Sequence, residues 1–475
     1  MIEHGLFIDG RWRAGSGGNL IDVVDPATEA VVATVPVAVI GDLEEAVQAA
    51  SRSFPEWAAR PAPERGRMLR EAARLVRERR DAIALLLTGE QGKPLREAVA
   101  EVDNAADIME WYAEEGRRAY GRIIPARLQG VSQQVMLEPV GPVAAFSPWN
   151  FPVSQAVRKI AAALAAGCTI IIKGPEEAPG AVCEVARCLA QAGVPDGVLN
   201  LVFGDPPAIS AHLIAAPEIR KISFTGSVAV GKHLASLAGA HMKRTTMELG
   251  GHAPVIVFDD ADAVAAATQL AAFKYRNAGQ VCISPTRFFV QSASYEAFLD
   301  AFVRKANSLK VGAGADNADM GPLATSRRAD AVSALVSEAV ADGATLHSGG
   351  RKLGNAGYFY APTVLGDVPH TSRIMKEEPF GPVALINRFG DDDEAIGLAN
   401  ATVYGLAGYA FTQSSRRAAL AARGVKVGML SINHFGLGPI ETPFGGVGDS
   451  GHGREGGSEG LDAYLDTKFV SQLSA

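Results

Sequence analysis

Val140-Gly141-Pro142-Val143-Ala144-Ala145-Phe146 reads as a buried strand, and the segments after it decide the fold. Ala156–Ala166 is an alanine-rich helix, Cys168–Lys173 a second strand, and Ala181–Ala192 a second helix. Val198–Val202 and Ile219–Phe224 are two more strands, and Val230–Ala238 is another helix. Short β-branched runs alternating with helices predict a parallel sheet covered by helices on both faces. Pro254–Phe258 begins a second αβ series that runs to about Ile432. Upstream, residues 6–13 and 21–35 alternate apolar and polar side chains and read as an antiparallel segment. From Leu43 to Ala119 the spacing is helical, with arginines on the face opposite Leu69, Ala72, Leu75 and Val76. Downstream, residues 436–460 hold 10 glycines, a loop composition. Ala463–Val470 then reads as a terminal strand that either completes the chain's own sheet or joins another subunit.

The chain has 475 residues, enough for two or three domains. It is 48% hydrophobic and 20% charged, with a mean hydropathy of +0.09, as expected of a globular protein with a large core. The net charge of −7 carries no basic block, which argues against nucleic acid or an anionic membrane as partner. No stretch approaches the ~18–20 apolar residues of a membrane helix, and Met1–Gly5 lacks the pattern of a secretory signal. Four cysteines in such a length make no disulfide framework, so a reducing cytoplasm is expected. The nine histidines pair with no cysteine at ligand spacing, so no metal site is expected.

Cys168, Cys183 and Cys188 lie in strand or helix patterns and read as packing. Cys282 differs. It follows Asn277-Ala278-Gly279-Gln280-Val281, where Gly279 lets backbone approach closely, and a nucleophilic thiol needs such partial exposure. Glu248-Leu249-Gly250-Gly251 stands 34 residues upstream. A carboxylate among apolar neighbours, on a glycine-flanked turn, suits a general base near neutral pH. Ser147-Pro148-Trp149-Asn150-Phe151-Pro152 follows the first strand of the series, where ligands gather in open α/β sheets. Asn150 there reads either as a donor to a developing oxyanion or as a helix N-cap. No Gly-x-Gly-x-x-Gly fingerprint follows a suitable strand. Instead Thr225-Gly226-Ser227 opens a helix and can hold a phosphate, while Lys173 and Glu176 end the second strand within reach of ribose hydroxyls.

Taken together these motifs resemble the aldehyde dehydrogenase superfamily. The resemblance rests on Pro148–Pro152, Lys173-x-x-Glu176, Phe224–Ser227, Glu248–Gly251, Gly279–Cys282, Glu377–Pro382 and Pro443–Gly446, in the family's order along the chain. It implies an α/β fold with a variant Rossmann cofactor domain (1–120 and 140–248), an α/β catalytic domain (249–435) and a β oligomerisation arm (121–139 with 455–475). The arm would make a homodimer or homotetramer, with the terminal strand joining another subunit. By the same resemblance, Cys282 forms a thiohemiacetal and then a thioester. Asn150 and the Cys282 N–H hold the oxyanion, and Glu248 activates the hydrolytic water. Ser147, Trp149, Lys173, Glu176, Gly226, Ser227, Gly231, Leu249, Glu378 and Phe380 would line the cofactor. Glu176 favours NAD, and Lys173 leaves room for NADP. Two positions depart from the usual pattern: Gly174 stands where Pro is usual, and Gly448 where Lys often follows.

Arg158 and Arg276 match two arginines that bind the distal carboxylate in the succinate-semialdehyde dehydrogenase branch, and an arginine fork suits a carboxylate. The hydroxyl that branch usually adds is absent from Gly436-Leu437-Gly438-Pro439. The expected reaction is NAD(P)-dependent oxidation of succinate semialdehyde or a similar short semialdehyde. A hydroxy- or aromatic aldehyde is the alternative. Transfer of the acyl group to CoA is disfavoured by the presence of Glu248.

Overall fold

A computed structural model describes residues 2–474. Two large sheets dominate it. The first has eight strands, in the order Gly451–His452, Arg244–Glu248, Lys221–Thr225, Val143–Phe146, Ile170–Lys173, Leu199–Val202, Leu6–Ile8 and Arg11–Arg13. Its five central strands are parallel, and the edge strands run antiparallel. The second sheet has seven strands, all between Ala253 and Ile432, parallel except for Thr345–Ser348 at its edge.

The helix Pro152–Ala166 shows why the first sheet is two-sided. Every one of its residues is buried, so it carries no polar face, and small alanines let it lie close between neighbours. Pro152 opens it, and Gly167, at φ 98°, closes it in the left-handed conformation that favours glycine. The helices Ala62–Glu78 and Leu95–Glu115 pack beside it. Their outer arginines pair with neighbouring carboxylates, as Arg77 does with Asp107 and Glu110. Arg65 is the exception to that solvated face: it is buried and donates twice to Ala165 O, at 3.1 and 3.0 Å.

The terminal strand spans Leu465–Leu473 and pairs antiparallel with Val131–Pro139 of the same chain, in register from Leu465↔Pro139 to Leu473↔Val131. One edge of that strand is therefore satisfied within its own chain. Arg122–Ile124 completes this third, three-stranded sheet. Leu461, Tyr464 and Leu465 pack in the core of the first sheet. Among the described residues no helix is long and apolar enough to cross a membrane, and no histidine, cysteine and carboxylate cluster could hold a metal.

Candidate active site

The strands of the first sheet end in one row. Phe146 lies opposite Lys173 on one side and Phe224 on the other, and Thr225 lies opposite Glu248. Ser147, Lys173, Gly226 and Glu248 therefore crowd one carboxyl edge. The chain leaves the strand Val143–Phe146 in one direction through Ile170–Lys173 and Leu199–Val202. It then returns to build Lys221–Thr225 and Arg244–Glu248 on the other side. That reversal opens a crevice, the usual ligand site of such sheets.

The second sheet delivers the cysteine to this edge. Asn277, Ala278 and Gly279 all take positive φ (46°, 53° and 72°), a left-handed run that turns the chain sharply before Cys282. Gly279 is obligatory: a Cβ there would sit 2.1 Å from Gly381 O. Gly251 lies directly against the cysteine turn, where a Cβ would meet Cys282 O at 2.6 Å, and at Gly250 one would meet Glu378 Oε2 at 2.5 Å. The glycines of two motifs thus bring Cys282, the Glu248 turn and Glu378 into one place, because only bare backbone allows that approach.

Cys282 is partly exposed, whereas the other three thiols are buried. Burial of its sulfur, with Glu378 and Glu248 adding negative charge, pushes its thiol up to about 12, and Arg158 pulls it back. Glu248 is buried, and neither of its carboxylate oxygens has a hydrogen-bond partner. Burial raises it well above the usual carboxylate range, and the charge of Glu455 adds to that, against Lys159, Arg454 and Arg158. Glu378 is pushed up to about 8 by burial, opposed by the Gly251 N–H, Arg328 and Lys274. Burial and the negative charges of Glu248 and Glu378 thus favour the protonated thiol at Cys282, and burial favours the neutral form of both carboxyls.

Asn150 is not a helix cap. Residue Phe151 holds the N-cap position of Pro152–Ala166 without a side-chain bond, and Glu101 Oε1 accepts from Val153 N (2.9 Å) and Ser154 N (3.2 Å) instead. This frees the Asn150 amide, whose Nδ2 donates to Gln280 O at 3.0 Å, in the cysteine turn. An amide carries two N–H groups, so a second remains for an oxyanion.

The residues expected to hold a dinucleotide sit along the same edge. Ser227 caps the helix Val228–Ala240 through Val230 N, and the exposed helix start presents N–H groups without helical partners. Gly226 N donates to Glu248 O at 3.0 Å, joining the turn before the Ser227 helix to the Glu248 strand end. Gly231 lets its helix press on Leu249, whose side chain would lie 2.2 Å from a Cβ there. Lys173 pairs with Glu176, whose Oε1 accepts from Gly204 N at 2.9 Å. Ser147 N bonds Lys173 O at 3.2 Å. Trp149 and Phe380 meet edge to face, 5.5 Å between ring centres. This set fits a nicotinamide dinucleotide: an open helix start for phosphate, a carboxylate for ribose, and a pair of aromatic rings, one of them next to Gly381 at the cysteine turn.

Arg158 is buried under the Phe444 ring, 5.2 Å away, and donates Nη2 to Gly438 O at 3.3 Å, while its Nη1 has no partner. Arg276 is exposed and lies over Phe273, 5.3 Å from the ring centre. Phe273 stacks on Phe435 at 4.6 Å, and Tyr409, edge-on to Phe273, donates to Ile283 O at 2.7 Å beside the cysteine. Sequence reasoning passed over Lys93, Glu101 and Glu455. All three are buried charges, and nothing in their local sequence sets them apart from surface ones.

The aldehyde dehydrogenase family matches residues 12–470. A 4-(hydroxymethyl)benzenesulfonate dehydrogenase of Comamonas testosteroni is 48% identical over 470 residues, covering 99% of this chain and 98% of its own. The NADP(+) succinate-semialdehyde dehydrogenase of Escherichia coli K12 is 39% identical over 99% of this chain and 98% of its own. The crystal structure of a succinate-semialdehyde dehydrogenase from Burkholderia pseudomallei superposes with a TM-score of 0.97 at 41% identity, covering 99% of this chain and 98% of that one. Matched along nearly its whole length in sequence and in fold, the chain belongs to the aldehyde dehydrogenase family.

Proposed function

We propose that this aldehyde dehydrogenase oxidises a small aldehyde carrying an anionic group at its far end, with succinate semialdehyde or a close homologue as substrate. The observation that carries the reading is Arg158. A buried guanidinium nitrogen without a partner is costly unless a ligand completes it, and a carboxylate is the group its fork fits. A second reading is an aromatic aldehyde with an anionic substituent. It is favoured by the stacked Phe273 and Phe435 beneath Arg276, and by the likeness to the benzenesulfonate enzyme.

In the mechanism, Cys282 Sγ loses its proton to solvent and attacks the carbonyl carbon as the thiolate. Asn150 Nδ2 and the Cys282 N–H take the developing oxyanion, a donor pair in which one member typically supplies about 3 kcal/mol. The Ser227 helix start, Glu176 and Glu378 would hold a nicotinamide dinucleotide, which would supply the hydride acceptor when bound. NAD is the preferred cofactor and NADP is tolerated, because Glu176 repels a 2′-phosphate while Lys173 attracts it. Glu248 then removes a proton from water as it attacks the thioester carbon, and the Cys282 thiolate leaves with the acid released. The three-stranded arm assembles the chain into a homodimer or homotetramer.

A panel of succinate semialdehyde, glutarate semialdehyde, a para-sulfonated benzaldehyde and neutral aldehydes, each with NAD, NADP and added CoA, tests the proposal. Arg158→Met should lower kcat/KM for the anionic aldehydes about 10- to 100-fold, as loss of a charged hydrogen bond predicts, and spare neutral ones. Neutral aldehydes winning in kcat/KM, with both arginines dispensable, would sink it.

A further inference from the structure

The oxyanion donor and the nucleophile come from different sheets, Asn150 from the first and Cys282 from the second. Neither sheet alone fixes the distance between them. A third element touches both: the helix Arg80–Gln91, the sharp turn at Gly92 (φ 92°), and the helix Leu95–Glu115.

Its contacts fall into two arms. In the first, Lys93 Nζ donates to Asn150 O at 2.8 Å, pairs with Glu101, and lies over the Phe151 ring at 4.0 Å. Glu101 uses its other oxygen to hold the helix start at Val153 and Ser154. In the second arm, Gln91 Nε2 donates to Asn277 Oδ1 at 3.0 Å, and Glu97 Oε2 accepts from Asn277 N at 2.8 Å. The arms meet where Asn277 Nδ2 donates to Asn150 O at 2.9 Å, and where Gln91 Oε1 accepts from Lys93 N at 3.1 Å. Gln91, Lys93, Glu101 and Asn277 are at most 4% exposed. A buried ion pair this dry gains little for stability over apolar packing of the same volume, so its presence calls for another reason.

We infer that Lys93 and Glu101 are positioning residues for Asn150, and that Gln91 and Glu97 position the Cys282 turn, so that this helical hairpin sets the spacing of oxyanion donor and nucleophile. The inference rests on the reading of Asn150 as the oxyanion donor. Two donors on Asn150 O leave its main chain one placement, and its side-chain amide then meets Gln280 O in the cysteine turn. Asn277 carries the same constraint into the left-handed run before Cys282. The arms act on different groups, so they should fail in different ways.

The experiment is a double-mutant cycle in the full-length enzyme, with three readouts: kcat, iodoacetamide alkylation of Cys282, and cofactor affinity by fluorescence quenching. Lys93→Met should cost about 10- to 100-fold in kcat, the scale of a misplaced transition-state donor, with alkylation rate and cofactor affinity within about two-fold of the parent. Lys93→Met combined with Glu101→Gln keeps the buried pair neutral and serves if the single variant folds poorly. Gln91→Leu should instead change the alkylation rate. In an Asn150→Ala background the Lys93→Met loss should shrink below about three-fold, because a residue acting through Asn150 has nothing left to position. An undiminished loss there, or alkylation falling in step with kcat, would overturn the inference. Parent-level kcat in Asn150→Ala itself would overturn the oxyanion reading beneath it.

Discussion

Glu176 and Glu248 both stand at the carboxyl edge of the first sheet, and they are treated in opposite ways. Glu176, on the proposed cofactor side, takes Lys173 on one oxygen and the Gly204 N–H on the other. Glu248, on the proposed aldehyde side, is buried with neither oxygen hydrogen-bonded, and Arg158 has an unpartnered Nη1. Each such buried orphan costs about 1–3 kcal/mol of stability. A surface that only binds can be satisfied in advance and exchange partners with its ligand. A surface that must take and return protons cannot, since a carboxylate already saturated with donors is a weak base. Along this edge, the unpartnered oxygens belong to Glu248 and not to Glu176.

Glu248→Gln breaks the comparison most severely. Removing the base should slow turnover by roughly 10²- to 10⁴-fold while sparing the first round of hydride transfer. Rapid mixing would then show a burst of NADH followed by a nearly flat line. Loss of the burst along with turnover would move Glu248's role to the attack step.

Glu378→Gln sharpens it through stability. A carboxyl pushed up by burial contributes stability that is fully present below the ordinary carboxylate range. That contribution is lost as pH rises through its own value of about 8. The amide cannot ionise, so the variant should match the parent near pH 5 and exceed it by roughly 2–4 kcal/mol above pH 8. Denaturant melts at the two pH values would show it, and equal gains at both would refute the assignment to ionisation.

Glu176→Gln probes the satisfied side and should do least to chemistry. It frees Lys173, so the ratio of kcat/KM for NADP over NAD should rise about 10-fold, the scale of one charged contact. Turnover at saturating NAD should stay near the parent's. A fall in turnover without a change in the ratio would place Glu176 in structure alone.

How much of this was legible in sequence follows from what each residue asks of its neighbours. Strands such as Ile170–Lys173 are buried on both faces and made of β-branched residues, so local composition finds them. Cys282, Gly279 and Gly251 were legible as motifs because close backbone contact admits few residue types. Glu101 was not. Its job as cap for a helix 51 positions later depends on a contact that no periodicity encodes. Asn150 could be read as donor or cap for the same reason, and the placement of Glu101 removes the cap reading. The terminal strand posed a similar choice, since an unpaired run of alternating residues does not name its partner. Arg276 is read from its position in the sequence, because it is exposed and lies over Phe273.

Of the residues in the left-handed turn before Cys282, Ala278, at φ 53°, has no compensating side chain. An alanine held there costs about 1–2 kcal/mol relative to ordinary backbone. Ala278→Gly would therefore firm up the folded state and also let the turn wander. A thermostability screen run without an activity gate would be drawn to that position, and would harvest a sturdier protein whose thiol no longer points at its target.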